Sequence, residues 1–130
     1  MKTLFLILLM SIGLIAFSQT IILESGYTIT TVDNYWKIDI PAYEDMLYDA
    51  GIQIRWLGLT GVLDGTVSIQ HGLEGDTLRC DYGMNQDLNT ANGYSYFELW
   101  EVTATDLYVN FDRNNITGGL LRINYMLRKK

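Results

Sequence analysis

Cysteine, proline and histidine each occur once in the 130 residues, as Cys80, Pro41 and His71. A single cysteine excludes an internal disulfide, so the fold must be held by its apolar core. One cysteine and one histidine also exclude a soft-ligand metal centre, which takes about four such ligands. There is no G-x-S-x-G elbow, and nucleophile–base chemistry is reduced to one pair, His71 and Cys80, with no orienting third group. Fifteen acidic residues show no spacing that singles out two for glycoside hydrolysis. The chain is therefore expected to be no enzyme and to carry no cofactor. Basic residues number only nine, and a net charge of −6 disfavours a nucleic-acid partner.

The one long apolar run lies at the start. Lys2 supplies a positive charge, Leu4 to Ile15 is almost unbroken apolar sequence, and Ala16, Phe17 and Ser18 place small residues at the −3 and −1 positions of a cleavage site. This run is short for a bilayer span, and its three-part pattern is that of a secretory signal. The expected organisation is a signal peptide over 1–18 and a single domain over 19–130. The expected location is secreted, extracellular or periplasmic, with no membrane contact after cleavage.

Downstream, apolar residues recur mostly at every second position in short runs separated by Gly, Asn and Asp, the pattern of half-buried strands. Strands are predicted at Gly26 to Val32, Tyr35 to Ile40, Ile52 to Leu59, Thr66 to His71, Asp76 to Tyr82, Tyr94 to Val102, Asp106 to Phe111 and Leu120 to Leu127. Trp36, Ile38 and Ile40 share one face, as do Val67 with Ile69, Leu78 with Cys80, and Leu107 with Val109 and Phe111. A short helix or turn is expected between Pro41 and Gly51, where Tyr43, Met46, Leu47 and Ala50 have helical spacing. Asp64-Gly65 reads as a hairpin turn. The fold class is all-β: a two-sheet antiparallel sandwich, jelly-roll-like, behind an N-terminal apolar leader helix.

Two groups of residues suggest contacts. Tyr94, Tyr96, Phe97 and Trp100 crowd one strand, and exposed tyrosines stack on sugar rings; Tyr82, Tyr96 and Tyr108 are the candidate glycan or partner contacts. Trp36, Trp56 and Trp100 are expected in the core. Leu120, Arg122, Asn124 and Met126 form a second, partly apolar face on the last strand and are candidates for self-association. Cys80 joins them if it forms an intermolecular bond, although burial in its strand is the expectation. The partners implied are a second copy or larger assembly, or a glycan. Asp64, Glu74, Asp76 and Asp81 are oxygen ligands available for calcium, but they lack loop spacing and read as turn residues. Asn115-Ile116-Thr117 is formally a glycosylation acceptor and reads as a turn before Gly118 and Gly119, where positive φ is expected.

The run from Leu59 through Thr60-Gly61-Val62-Leu63-Asp64-Gly65-Thr66 to Gln70, the Trp36 to Asp39 segment and the later Asn115-Ile116-Thr117-Gly118-Gly119 turn together resemble a known group. They are similar to small uncharacterised secreted β-sandwich proteins of Bacteroidota-type bacteria and their phages. In place of the Ser-Asn-Asp-Gly loop usual there, this chain has His71-Gly72-Leu73-Glu74-Gly75-Asp76. The resemblance implies a secreted or virion-associated surface protein and brings no catalytic residues with it.

Overall fold

The computed structural model describes residues 21–30, 34–41, 47–73 and 79–130, the first of these segments by its backbone. The expected leader lies outside them, as do residues 42–46 of the expected linker helix and Glu74, Asp76 and Leu78. Eight strands follow one another: β1 (Ile21–Thr30), β2 (Tyr35–Asp39), β3 (Tyr48–Gly61), β4 (Gly65–Gly72), β5 (Cys80–Leu88), β6 (Gly93–Val102), β7 (Asp106–Asp112) and β8 (Ile116–Lys129). They build two four-stranded sheets, a first in the order β1-β8-β3-β6 and a second in the order β2-β7-β4-β5. Every pairing is antiparallel. Only β4 and β5 are consecutive strands paired in one sheet; the other connections pass between sheets. This interleaving is the jelly roll, and it bears out the expected two-sheet sandwich.

Alternation explains the core. Ile38 on β2, Ile52 and Ile54 on β3, Val67 and Ile69 on β4, Leu107 and Val109 on β7, and Leu121, Ile123 and Leu127 on β8 are all buried between the sheets. Each fully buried aliphatic side chain contributes about 1.5–3 kcal/mol relative to exposure. Trp36 from the second sheet meets Tyr125 from the first with ring centroids 5.4 Å apart, so aromatic packing also joins the two layers.

Three sequence expectations are corrected. Residues 48–51 belong to β3 rather than to the expected short helix or turn. Of the four residues with helical spacing only Ala50 falls here; Tyr48 and Ala50 pack inward, while the outward Asp49 and Gly51 lie beneath other side chains. The Asp64-Gly65 turn is not a hairpin, since β3 and β4 lie in different sheets and residues 62–64 cross between them. β5 runs from Cys80 to Leu88, later than predicted; Gly83 at φ +72° and a register shift opposite Ser68 and Gln70 break the alternation there.

The crossing is fastened to a distant turn. The Asn115 backbone N–H donates to Asp64 Oδ1 at 2.9 Å, and Asn115 Nδ2 donates to Asp64 Oδ2 at 2.7 Å. Asn114 Nδ2 donates to the Asp64 carbonyl at 2.7 Å. Gly61 has φ +92°, and a Cβ on it would sit 2.5 Å from the Asn115 carbonyl oxygen. Of the two glycines expected at positive φ, Gly119 has it, while the other left-handed residue of this turn is Asn114 at φ +46°, not Gly118. Asp64→Ala is expected to lower the melting temperature and to speed amide exchange at Asn115 and Ile116. Unchanged exchange at both amides would contradict the clasp.

Candidate functional site

Side chains that point away from the core on the first sheet form a grid set by strand register. Tyr96 on β6 stands opposite Gln53 on β3, which stands opposite Asn124 on β8. Tyr94, Arg55 and Arg122 make the next row, and Glu98, Gly51 and Met126 the row on the other side. Tyr94, Tyr96, Trp100 and Leu120 are 77%, 56%, 59% and 40% exposed, an unusual amount of apolar surface on one face. Gly51 makes room for it, because the Tyr96 ring lies over that glycine and its hydroxyl occupies the place a Cβ would take. A shallow cavity of about 290 Å³ is lined by Gly51, Gln53, Tyr96, Asn124, Tyr125 and Met126. Asn124 Nδ2 donates to Gln53 Oε1 at 3.2 Å across its floor.

One end of this face is braced by charge. Asp49 is buried, and its Oδ1 accepts the Glu101 backbone N–H at 3.0 Å while its Oδ2 accepts from Arg128 Nη2 at 3.1 Å. Arg128 also lies 5.9 Å from the Trp100 ring, and Lys130 Nζ pairs with Glu101 at 2.8 Å. The Glu101 N–H and, after it, Arg128 hold the Asp49 carboxyl below its ordinary value against the opposing effect of burial. Glu101 has φ +53°, so the chain bulges and Val102 rather than Glu101 turns inward, contrary to the regular alternation expected there.

The sequence candidates divide between the two sheets. Tyr96, Leu120, Arg122, Asn124 and Met126 fall together on this one face, although they were drawn from separate arguments. Trp100 is here too, exposed rather than in the core, because it shares the parity of Tyr94 and Tyr96; Trp56 is buried as expected and Trp36 is half-buried. Tyr108 points outward from the second sheet but is buried, since Arg79 lies 4.5 Å over its ring and Tyr35 packs edge-on at 5.6 Å. Tyr82 is half-buried against the core, with its hydroxyl pKa raised by that burial, and His71 packs on it at 4.4 Å. Neither tyrosine offers a sugar platform.

Cys80 is exposed, not buried, because β5 is an edge strand and leaves its outer end uncovered. It stands directly opposite His71, so the structure does bring that pair together. Asp64 and Asp81 lie at opposite ends of the β4–β5 pair, since Gly65 faces Leu88 and Gln70 faces Asp81. Both Asp64 carboxylate oxygens are taken by Asn115. Among the described residues no group of three or more His, Cys, Asp or Glu could hold a metal ion, and no helix is long and apolar enough to cross a membrane. Sequence reasoning missed Asp49, Arg55 and Arg128: only the register of β3 with β6 and β8 makes them part of one surface.

No protein-family model matches the chain, and no curated protein matches it. Among solved structures, the coat protein of Tobacco streak virus, determined as a dimer, is similar with a TM-score of 0.44 and 15% identity, over 89% of this chain and 88% of that one.

Proposed function

We propose that the protein is a non-catalytic building unit or surface decoration of an extracellular or virion-type assembly, associating with a second copy through the β6 edge of its first sheet. The observation that carries this reading is the exposed row Tyr94, Tyr96 and Trp100 on that edge strand. β6 has β3 as its sole ladder partner among the described residues, so its outer backbone groups are open to another strand. Antiparallel addition of a second β6 would continue the sheet across a two-fold axis and set tyrosines of the two copies side by side. Cross-strand aromatic pairs contribute roughly 0.2–1 kcal/mol each. A second reading, a carbohydrate-binding module, is supported by Tyr96 resting over Gly51 beside the amides of Gln53 and Asn124.

Sedimentation velocity tests the first reading. The wild-type protein is expected to gain mass with concentration, and Tyr94→Lys/Tyr96→Lys, which places charge along the edge, is expected to stay monomeric. A wild-type protein that remains a monomer at every concentration would overturn it.

A further inference from the structure

Arg55 on β3 and Arg122 on β8 are directly opposed in register, and both are exposed. Like charges in that arrangement destabilise a sheet. Neither arginine forms an ion pair with any described residue, although acidic residues outnumber basic ones by fifteen to nine. Among the other cations, Lys37, Arg128 and Lys130 are paired with carboxylates, and Arg79 lies over Tyr35 and Tyr108. Two arginines, opposed in register and without an ion pair to any described residue, thus stand on the two central strands of this sheet. Tyr94 flanks Arg55, and the Tyr96, Gln53 and Asn124 row adjoins them.

We propose that this face is a binding site for an acidic saccharide chain, with a sugar carboxylate seated on the Arg55 and Arg122 guanidiniums. The planar guanidinium suits a carboxylate in two-point contact. The exposed tyrosine rings offer flat apolar surface to the sugar ring, and the Gln53 and Asn124 amides offer donors and acceptors to its hydroxyls. A peptide is the poorer fit, because the backbone groups of β3 and β8 are occupied by their ladders on both sides and leave none for an added strand. This inference rests on the carbohydrate-binding reading, shares Tyr94 and Tyr96 with the association row, and does not depend on association along the β6 edge.

Isothermal titration of the full chain with polygalacturonate, its methyl ester and poly-L-glutamate tests the proposal. Saturable binding of polygalacturonate is expected, at least tenfold weaker for the methyl ester and for Arg55→Gln or Arg122→Gln. Both variants are expected to melt at or above the wild-type temperature, since a repulsive pair has been relieved, and to sediment as the wild type does. Absence of polygalacturonate binding, equal binding of poly-L-glutamate, or a lower melting temperature in both arginine variants would overturn it. Loss of concentration-dependent sedimentation in the wild type would instead overturn the assembly reading and leave this one standing.

Discussion

Trp56→Ala is expected to destabilise the protein by about 3–5 kcal/mol, the range for removing a large aromatic side chain from a core. Trp56 points inward from β3 at 3% exposure, and its indole N–H donates to the Thr90 carbonyl at 3.1 Å. The ring fits against Gly93 on the opposing strand, where a Cβ would run into the indole. The neighbouring strands are fixed by long ladders, so the space left by alanine stays largely open. Trp100→Ala is the contrasting variant: its side chain is 59% exposed, and its change should stay within about 0.5 kcal/mol. Urea unfolding followed by far-ultraviolet circular dichroism checks both. Equal losses in the two variants would contradict the orientation of β6.

Asp49→Asn is expected to cost about 1–3 kcal/mol near neutral pH, because it weakens charge-assisted hydrogen bonds from the Glu101 N–H and from Arg128. The loss should have a defined pH dependence. Asp49 has a folded-state pKa held below its ordinary 3.8, so the unfolded chain binds the proton more readily. The carboxylate's stabilisation is therefore complete above that ordinary value and is lost as pH falls through the lower folded pKa. Melting temperatures of wild type and Asp49→Asn should converge on acidification below pH 3.8. A gap that stays constant into strong acid would mean that the side chain acts by shape rather than by charge.

Much of the fold was legible because burial on one face writes a period of two into the sequence. β2, β4, β6 and β7 lie close to where alternation placed them, and Ile38, Val67, Ile69, Leu107 and Val109 point inward as read. Alternation failed where a side chain on the far face was covered by a neighbour. Residues 48–51 show no alternation in burial because Arg128 and Tyr96 cover Asp49 and Gly51, and Tyr108 looked free because nothing local announces Arg79 above it. β5 was misplaced because a polar edge strand, interrupted at Gly83, owes its form to pairing with β4 rather than to its own pattern.

By itself, the sequence determined the all-β class, the absence of an internal disulfide and the inward set of most strands, because these depend on composition and on neighbours two residues apart. Tertiary structure decided the β1-β8-β3-β6 and β2-β7-β4-β5 orders, and with them every contact between distant residues. Asp64 meets Asn115, Asp49 meets Arg128 and Arg55 faces Arg122 only because strands far apart in the chain are neighbours in a ladder. Alternation specifies which face a side chain takes, and the strand order specifies who shares that face. The candidate surface is a product of the second, which has no local signature.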